Sequence, residues 1–470
     1  MSADRDARGA LAGLAVIGLG ASVAPLDFAV NIAFPAITAA FELETRAIRW
    51  VAVCYVLTYG SLMLAFGALG DRIGHLRVFR AGVLLGAAAF SLCGLAPTYA
   101  WLLAARVLQG VAVALTLSCA PALATALFAE SRRTWALSAF AGMGALAGFV
   151  APLIGGAAVA AQGWPGVYWF RVPLVLIAFA CVPFLAHRLG TPPVRLRAPF
   201  DLTGAVLLAC GMALLLLVPA VLHSDALVWP ALPLALCGAL VMALFVRHQR
   251  VSDTPFLPHA VVRDVGFVVP NLAAVVVQFT SFAIPLVLPY YLTRVAGWGP
   301  LASGALLACW AIGALAGSSL APRAVGAFSV RRAAFAGGML VMAGLAGVAL
   351  WPAQPQLPMM ITCLVLQGVG IGLYQVAYSD LVVAALPVSQ RGVAGSLTMV
   401  TRTVGIVLGA SLLTWILQAV ESAALAAGAG AQAAFMASFR AVFLSTAATA
   451  GVFFAASALR RATWFDRPKR

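Results

Sequence analysis

Between Pro25 and Pro35, well inside an apolar run from about residue 11 to 35, stands a single carboxylate, Asp27. If that run crosses a bilayer, a charge at its centre costs roughly 2.5–3.5 kcal/mol on insertion scales. Keeping a carboxylate charged out of water is expensive, so proton uptake near neutral pH comes within reach. Asn31 stands one turn further on, on the same helical face. Reversible proton binding is the chemistry this pair predicts. The alternative is a structural acid paired with an arginine.

A second charge is embedded in the apolar runs. Arg106 lies in LAARVLQG, Leu103 to Gly110, deep in another apolar run, with Gln109 and Gly110 on its side of the helix. It could pair with a carboxylate or contact substrate; snorkelling to the interface is the competing reading. Arg402, in TRTVG, and Asp380 fall nearer the ends of their runs. For Arg402 snorkelling is equally good, and Asp380 reads first as a bridge to Arg391 or Arg402. Gly144, Gly148, Pro152 and Gly156 recur at four-residue steps, with Gly155 adjacent. Such a stripe lets another backbone approach, and the proline removes a helical hydrogen bond. Later in the chain Asn271, Gln278, Trp310, Gln367, Tyr374, Gln375 and Tyr378 interrupt apolar runs. They predict either a cavity for an amphipathic compound or hydrogen bonds between helices.

The elements that position these residues follow from composition. Hydrophobic residues make up 63% of the 470 and charged residues 9%, against about 25% charged in soluble domains. Mean hydropathy is +1.02. No water-soluble fold covers that much apolar surface, whereas membrane helices of roughly 20 residues do. The runs predict fourteen spans: six before residue 190, two at about 202–222 and 228–247, and six after residue 262. The expected organisation is a six-helix bundle over 10–190, two inserted helices within 198–250 and a second six-helix bundle over 262–460. Two similar segments, GALGDRIGHLR from Gly67 and GSSLAPRAVG from Gly317, support duplicated halves with a site between them.

Net charge is +15. With the N-terminus inside, 22 of the 29 basic residues fall on cytoplasmic loops and tails, 5 face out, Arg171 and Arg294 among them, and Arg106 and Arg402 are embedded. The excess therefore reports topology under the positive-inside rule rather than nucleic-acid binding. The single lysine among 29 basic residues fits a bacterial genome rich in GC, so the expected location is the inner membrane, multi-pass, with both termini cytoplasmic. The first run reads as a retained anchor rather than a cleaved signal. The eight cysteines all lie in apolar runs and read as small buried hydrophobes. No phosphate loop, H-E-x-x-H or C-x-x-C motif is present, so no ATP hydrolysis, metal or cofactor is called for.

Several motifs, in order, resemble the major facilitator superfamily, specifically its fourteen-span drug:proton antiporter branch. PLDFAVNIAFPAI, from Pro25 to Ile37, is similar to the branch's first-span pattern, and WVAVCYVL, with Tyr55, follows it. GALGDRIG, with Gly67, Asp71, Arg72 and Gly74, matches the superfamily signature between spans 2 and 3, although His75 and Leu76 replace the usual basic pair. RVLQG matches the span 4 motif. APLIGG resembles the span 5 antiporter motif, through Pro152, Gly155 and Gly156, with Ala151 in place of a glycine. RTVGIVLGA, with Arg402 and Gly405, resembles the span 13 pattern.

The resemblance implies an all-α major-facilitator-type fold and a non-enzymatic, proton-coupled exporter of drug-like compounds. Asp27 and Arg106 would couple the proton. Asn31, Tyr55, Gln109, Gln278, Trp310, Gln367, Tyr374 and Tyr378 would line the substrate cavity, and Gly148 would belong to the sealing stripe of span 5. Small-molecule substrate, protons and membrane lipids are the expected partners; a periplasmic adaptor stays open. The rivals are one endogenous metabolite, lipid or antibiotic as cargo, or a non-transporting receptor on the same fold.

Overall fold

In the computed structural model of the chain, the described residues are 2–129, 132–189, 201–222, 228–251, 265–385, 391–460 and 464–465, and every regular element among them is helical. The first span is broken. Helix α1 (Ser2–Ser22) gives way to a 3-10 turn over Pro25–Asp27, then α2 (Phe28–Ile32) and α3 (Phe34–Ala40). Pro25 has no backbone N–H to continue the ladder, so the chain tightens there and the Asp27 amide donates to the Ala24 carbonyl three residues back, at 3.0 Å.

Next come α4 (Arg49–Ile73), α5 (His75–Gly94), α6 (Tyr99–Ala126) and α7 (Arg133–Gln162). The short α8 (Gly166–Trp169), α9 (Arg171–Ala180) and α10 (Val182–Leu189) together form one span. Gly74, at φ +98°, turns the chain between α4 and α5, a conformation that favours glycine. Thr98 caps α6 by accepting from the Trp101 amide at 3.3 Å. Two further helices are α11 (Leu202–Leu222) and α12 (Val228–Val251). The remainder are α13 (Val265–Ser281), α14 (Ala283–Arg294), α15 (Pro300–Ala327), α16 (Val330–Ala349), α17 (Leu357–Ala385), α18 (Arg391–Ala426) and α19 (Ala431–Ala458).

Twelve spans, not the expected fourteen, are long and apolar enough to cross a membrane among the described residues. The difference lies in α4 and α11. Among the described residues α11 offers only a shorter apolar stretch, Val206–Leu215, and α4 is not one of the twelve. The outer faces fit lipid. Leu232, Leu236, Leu240 and Leu244 form an exposed stripe on α12 at every fourth residue, which water would penalise and acyl chains accept.

Two compact units emerge. The first comprises residues 1–33, 54–213 and 237–254; the second comprises 34–53, 214–236 and 255–470. Within the first, α5 packs on α6 around buried Phe79, Phe90, Leu102 and Val113. The ends of α11 and α12 in this unit are stapled by Asp201, which accepts from the Gly204 amide at 2.7 Å and from Gln249 Nε2 at 2.6 Å and lies 2.6 Å from His248 Nε2. Within the second, α17 packs between α15 and α16. The segment 34–53 belongs with that unit: Thr38 shares a 2.7 Å hydrogen bond with the Tyr290 hydroxyl, and Arg294 donates to Thr45 Oγ1 at 3.0 Å and to Glu421 at 3.3 Å.

Candidate functional site

The break in the first span delivers Asp27 to α6. Arg106 Nη1 and Nη2 donate to the two carboxylate oxygens of Asp27 at 2.7 and 2.8 Å, a bidentate pair. Gln109, one turn along, accepts from Arg106 at 2.8 Å and donates to Asp27 Oδ1 at 2.9 Å. Gly110 then lets α4 come close: a Cβ there would stand 2.6 Å from Thr58 Cβ and 2.8 Å from the Tyr55 carbonyl oxygen. That approach puts the Tyr55 ring 4.4 Å from the Arg106 guanidinium carbon, a cation–π contact. Each letter of RVLQG that carries chemistry thus has a physical task.

A third charged residue joins them. Arg171, at the start of α9, donates from Nη1 to Asp27 Oδ1 at 2.7 Å and is fully buried. Its guanidinium lies among the rings of Phe90, Phe170 and Tyr168, 5.3–5.7 Å from their centroids. This corrects the expectation that Arg171 faces outward. The arginine opens a run, and a shift of a few residues in the span boundary moves it from interface to interior. Asp27 keeps 13% of its side chain exposed, so the carboxylate is the part of the cluster nearest to solvent.

The second glycine of the span 5 motif packs against the break itself. A Cβ on Gly155 would stand 2.8 Å from Ala29 Cα, and one on Gly148 3.7 Å from Pro25 Cβ, whereas Gly144 has nothing within 4 Å. Pro152 and Gly156 are buried alongside. Asn31 is buried too, but Asp27 takes its hydrogen bonds from Arg106, Gln109 and Arg171. Around the turn between α4 and α5, Gly67 lies near Ser118 and Arg72 is exposed; the Asp71 side chain falls outside the described residues.

The polar residues of the second unit bind to one another. Trp310 Nε1 donates to Gln367, whose Nε2 donates to Ser281 Oγ at 2.8 Å. Gln278 donates to Gln375 at 2.8 Å. The Tyr374 hydroxyl donates to the Pro270 carbonyl at 2.9 Å and the Tyr378 hydroxyl to Asn271 Oδ1 at 2.8 Å, with the two rings stacked 5.9 Å apart. Gln367, Tyr374 and Tyr378 are buried, while Gln278 and Trp310 stay half-buried. Gly405 lets α18 meet α13, its Cβ position being 2.5 Å from Gln278 Cβ. Asp380 is exposed and makes no ion pair with Arg402 among the described residues; the Arg391 side chain lies outside them. The structure therefore gathers Asp27, Arg106, Gln109 and Tyr55 around one carboxylate, adds Arg171, and leaves Arg402 and Asp380 apart.

Comparison with known proteins gives these geometries a context. The family model described as Major Facilitator Superfamily matches residues 11–256 and 271–470. The riboflavin transporter RibZ of Clostridioides difficile (strain 630) is 26% identical over 85% of this chain and 87% of its own length. The tetracenomycin C resistance and export protein of Streptomyces glaucescens is 28% identical over 85% of the chain and 74% of its own. The multidrug resistance protein Stp of Mycobacterium tuberculosis (strain CDC 1551 / Oshkosh) is 26% identical over 88% and 76%. Among solved structures, a bacterial homolog of the human lysosomal transporter Spinster superposes with a TM-score of 0.68 at 17% identity, covering 98% of this chain and 99% of that one, a likeness of fold.

Proposed function

The chain belongs to the Major Facilitator Superfamily, and from that membership we propose that it is a proton-coupled exporter of amphipathic, drug-like compounds working by alternating access. The relatives named for multidrug resistance and for tetracenomycin C resistance and export support the cargo class. The observation that carries proton coupling is the buried cluster of Asp27 with Arg106, Arg171 and Gln109.

Its charge balance suggests how coupling runs. With Asp27 ionised the cluster carries one net positive charge; with Asp27 protonated, two guanidiniums would share a dry site with no counter-charge. Proton uptake at Asp27 therefore goes with withdrawal of the arginines, and their return expels the proton. Movement of the short broken segment past α6 performs both steps, since the Asp27 side chain ties that segment to Arg106 and Gln109 of α6. In this reading α4 and α11 bring the spans to fourteen. They are arranged as bundles over 10–190 and 262–460 with the inserted pair between, in a bacterial inner membrane with both termini cytoplasmic. In the first unit Tyr55, Gln109 and Asn31 meet the cargo, and in the second Gln278, Trp310, Gln367, Tyr374 and Tyr378 do so when their hydrogen bonds open.

A narrower cargo is the second reading, favoured by the relative named as a riboflavin transporter. One experiment separates the two. Inverted membrane vesicles are energised with an inward-acid pH gradient and offered a panel of fluorescent amphiphiles together with riboflavin. The proposal expects gradient-driven accumulation of several panel members, abolished when the gradient is collapsed. Accumulation of riboflavin alone favours the narrow reading, and accumulation that survives collapse of the gradient overturns proton coupling.

A further inference from the structure

Arg171 spends only part of its guanidinium on Asp27. Nη1 makes the 2.7 Å contact, while Nε and Nη2 are buried and have no hydrogen-bond partner. The hydroxyl of Tyr168 is also buried and unpartnered, and its ring lies 5.7 Å from the same guanidinium carbon. Both residues are fully buried, so neither donor is simply solvated at the surface. Buried donors without acceptors are rare in folded proteins, and each points to something that accepts from it.

Charge and shape say what that is. Arg106 and Arg171 share the single carboxylate of Asp27, leaving one positive charge uncompensated. Nε–H and the neighbouring Nη2–H lie side by side along one edge of a guanidinium, the edge that matches the two oxygens of a carboxylate. We propose that the Nε–Nη2 edge of Arg171, with the Tyr168 hydroxyl as a third donor, is a binding subsite for a carboxylate group. The carboxylate comes either as a small free anion or as part of the transported compound. As the second case it rests on the exporter reading and narrows the cargo to acidic or neutral amphiphiles, because a cation would meet the net positive charge of the cluster. As the first, the anion neutralises that charge and its arrival or departure changes how tightly Asp27 is held.

The test uses the purified full-length chain in nanodiscs, in a sulfonate buffer at constant ionic strength, with 13C-formate as the probe read by NMR line broadening. The proposal expects saturable binding at one site per chain. Arg171→Gln abolishes it, and Arg171→Lys, which keeps charge but loses the fork, weakens it about 10-fold or more. Tyr168→Phe, the mildest change, weakens it about 5-fold, the worth of one hydrogen bond. A parallel arm adds pyrenebutyrate or its methyl ester. Displacement of formate by the acid and not by the ester assigns the carboxylate to cargo; failure of the acid to displace formate assigns it to the free ion. No saturable binding to the wild type, or binding unchanged in both Arg171→Gln and Tyr168→Phe, overturns the proposal and leaves the donors to water. Because formate binding is read without a proton gradient, its failure is distinct from failure of the exporter reading, which the vesicle assay reports alone.

Discussion

Arg106 commits both ends of its guanidinium to the oxygens of Asp27, so its replacement leaves a buried carboxylate short of half its donors. Arg106→Gln is expected to destabilise the protein by about 1.5–3 kcal/mol, the worth of charged hydrogen bonds lost while Arg171 still balances the Asp27 charge. Adding Asp27→Asn to that variant should deepen the loss, because Arg171 is then left buried with no counter-charge. Melting of the single and double variants in detergent checks this, and equal melting temperatures for Arg106→Gln with and without Asp27→Asn would count against the pairing of Asp27 with Arg171. Asp27, Arg106 and Gln109 were legible in the sequence because a charge in an apolar run is costly wherever it sits. Their partnership was not, since Asp27 and Arg106 lie 79 residues apart and nothing local joins them. Arg171 was missed for a different reason. It stands at a span boundary, and its burial depends on Phe90, Phe170 and Tyr168 closing over it.

At the scale of elements, α7 does its work by touching the broken first span. Gly155 meets Ala29 with no room for a side chain, whereas Gly144 faces open space. Gly155→Val should therefore push α7 away from the segment that carries Asp27, costing about 1–3 kcal/mol by overpacking and most of the gradient-driven transport. Gly144→Ala, on the same helix, is expected to leave transport intact and to raise stability slightly, by up to about 1 kcal/mol. Transport and melting measured on both variants check the pair, and equal effects would mean that the contact with Ala29 is unimportant. Asp201 offers a second test, since it caps α11 and ties it to α12. Asp201→Ala should cost about 1 kcal/mol or more of stability, read by melting, with the loss of a helix cap as its minimum. Proline and glycine positions made the breaks and close approaches readable in outline. That the first span would fall into α1, a 3-10 turn, α2 and α3 was not readable, because Pro25 fixes where the ladder fails but not how the freed segment settles on α7.

At the scale of the whole molecule, the bias of basic residues to one side supplies a topology that labelling can check. With a membrane-impermeant maleimide and intact cells, Glu42→Cys should react, while Arg195→Cys should react only after permeabilisation; the reverse pattern would invert the proposed orientation. The helical membrane fold was legible in composition alone, since so few charges leave no soluble alternative. The grouping of 34–53 with the second unit was not, because it depends on contacts such as Thr38 with Tyr290, 252 residues apart. The central claim is that Asp27 carries the proton that drives export. It is tested most directly in proteoliposomes by comparing wild type with Asp27→Asn in two modes, accumulation against a substrate gradient under an imposed pH gradient, and exchange of labelled for unlabelled substrate without one. The account predicts that Asp27→Asn retains exchange and loses gradient-driven accumulation. An Asp27→Asn protein that accumulates substrate as the wild type does would contradict it.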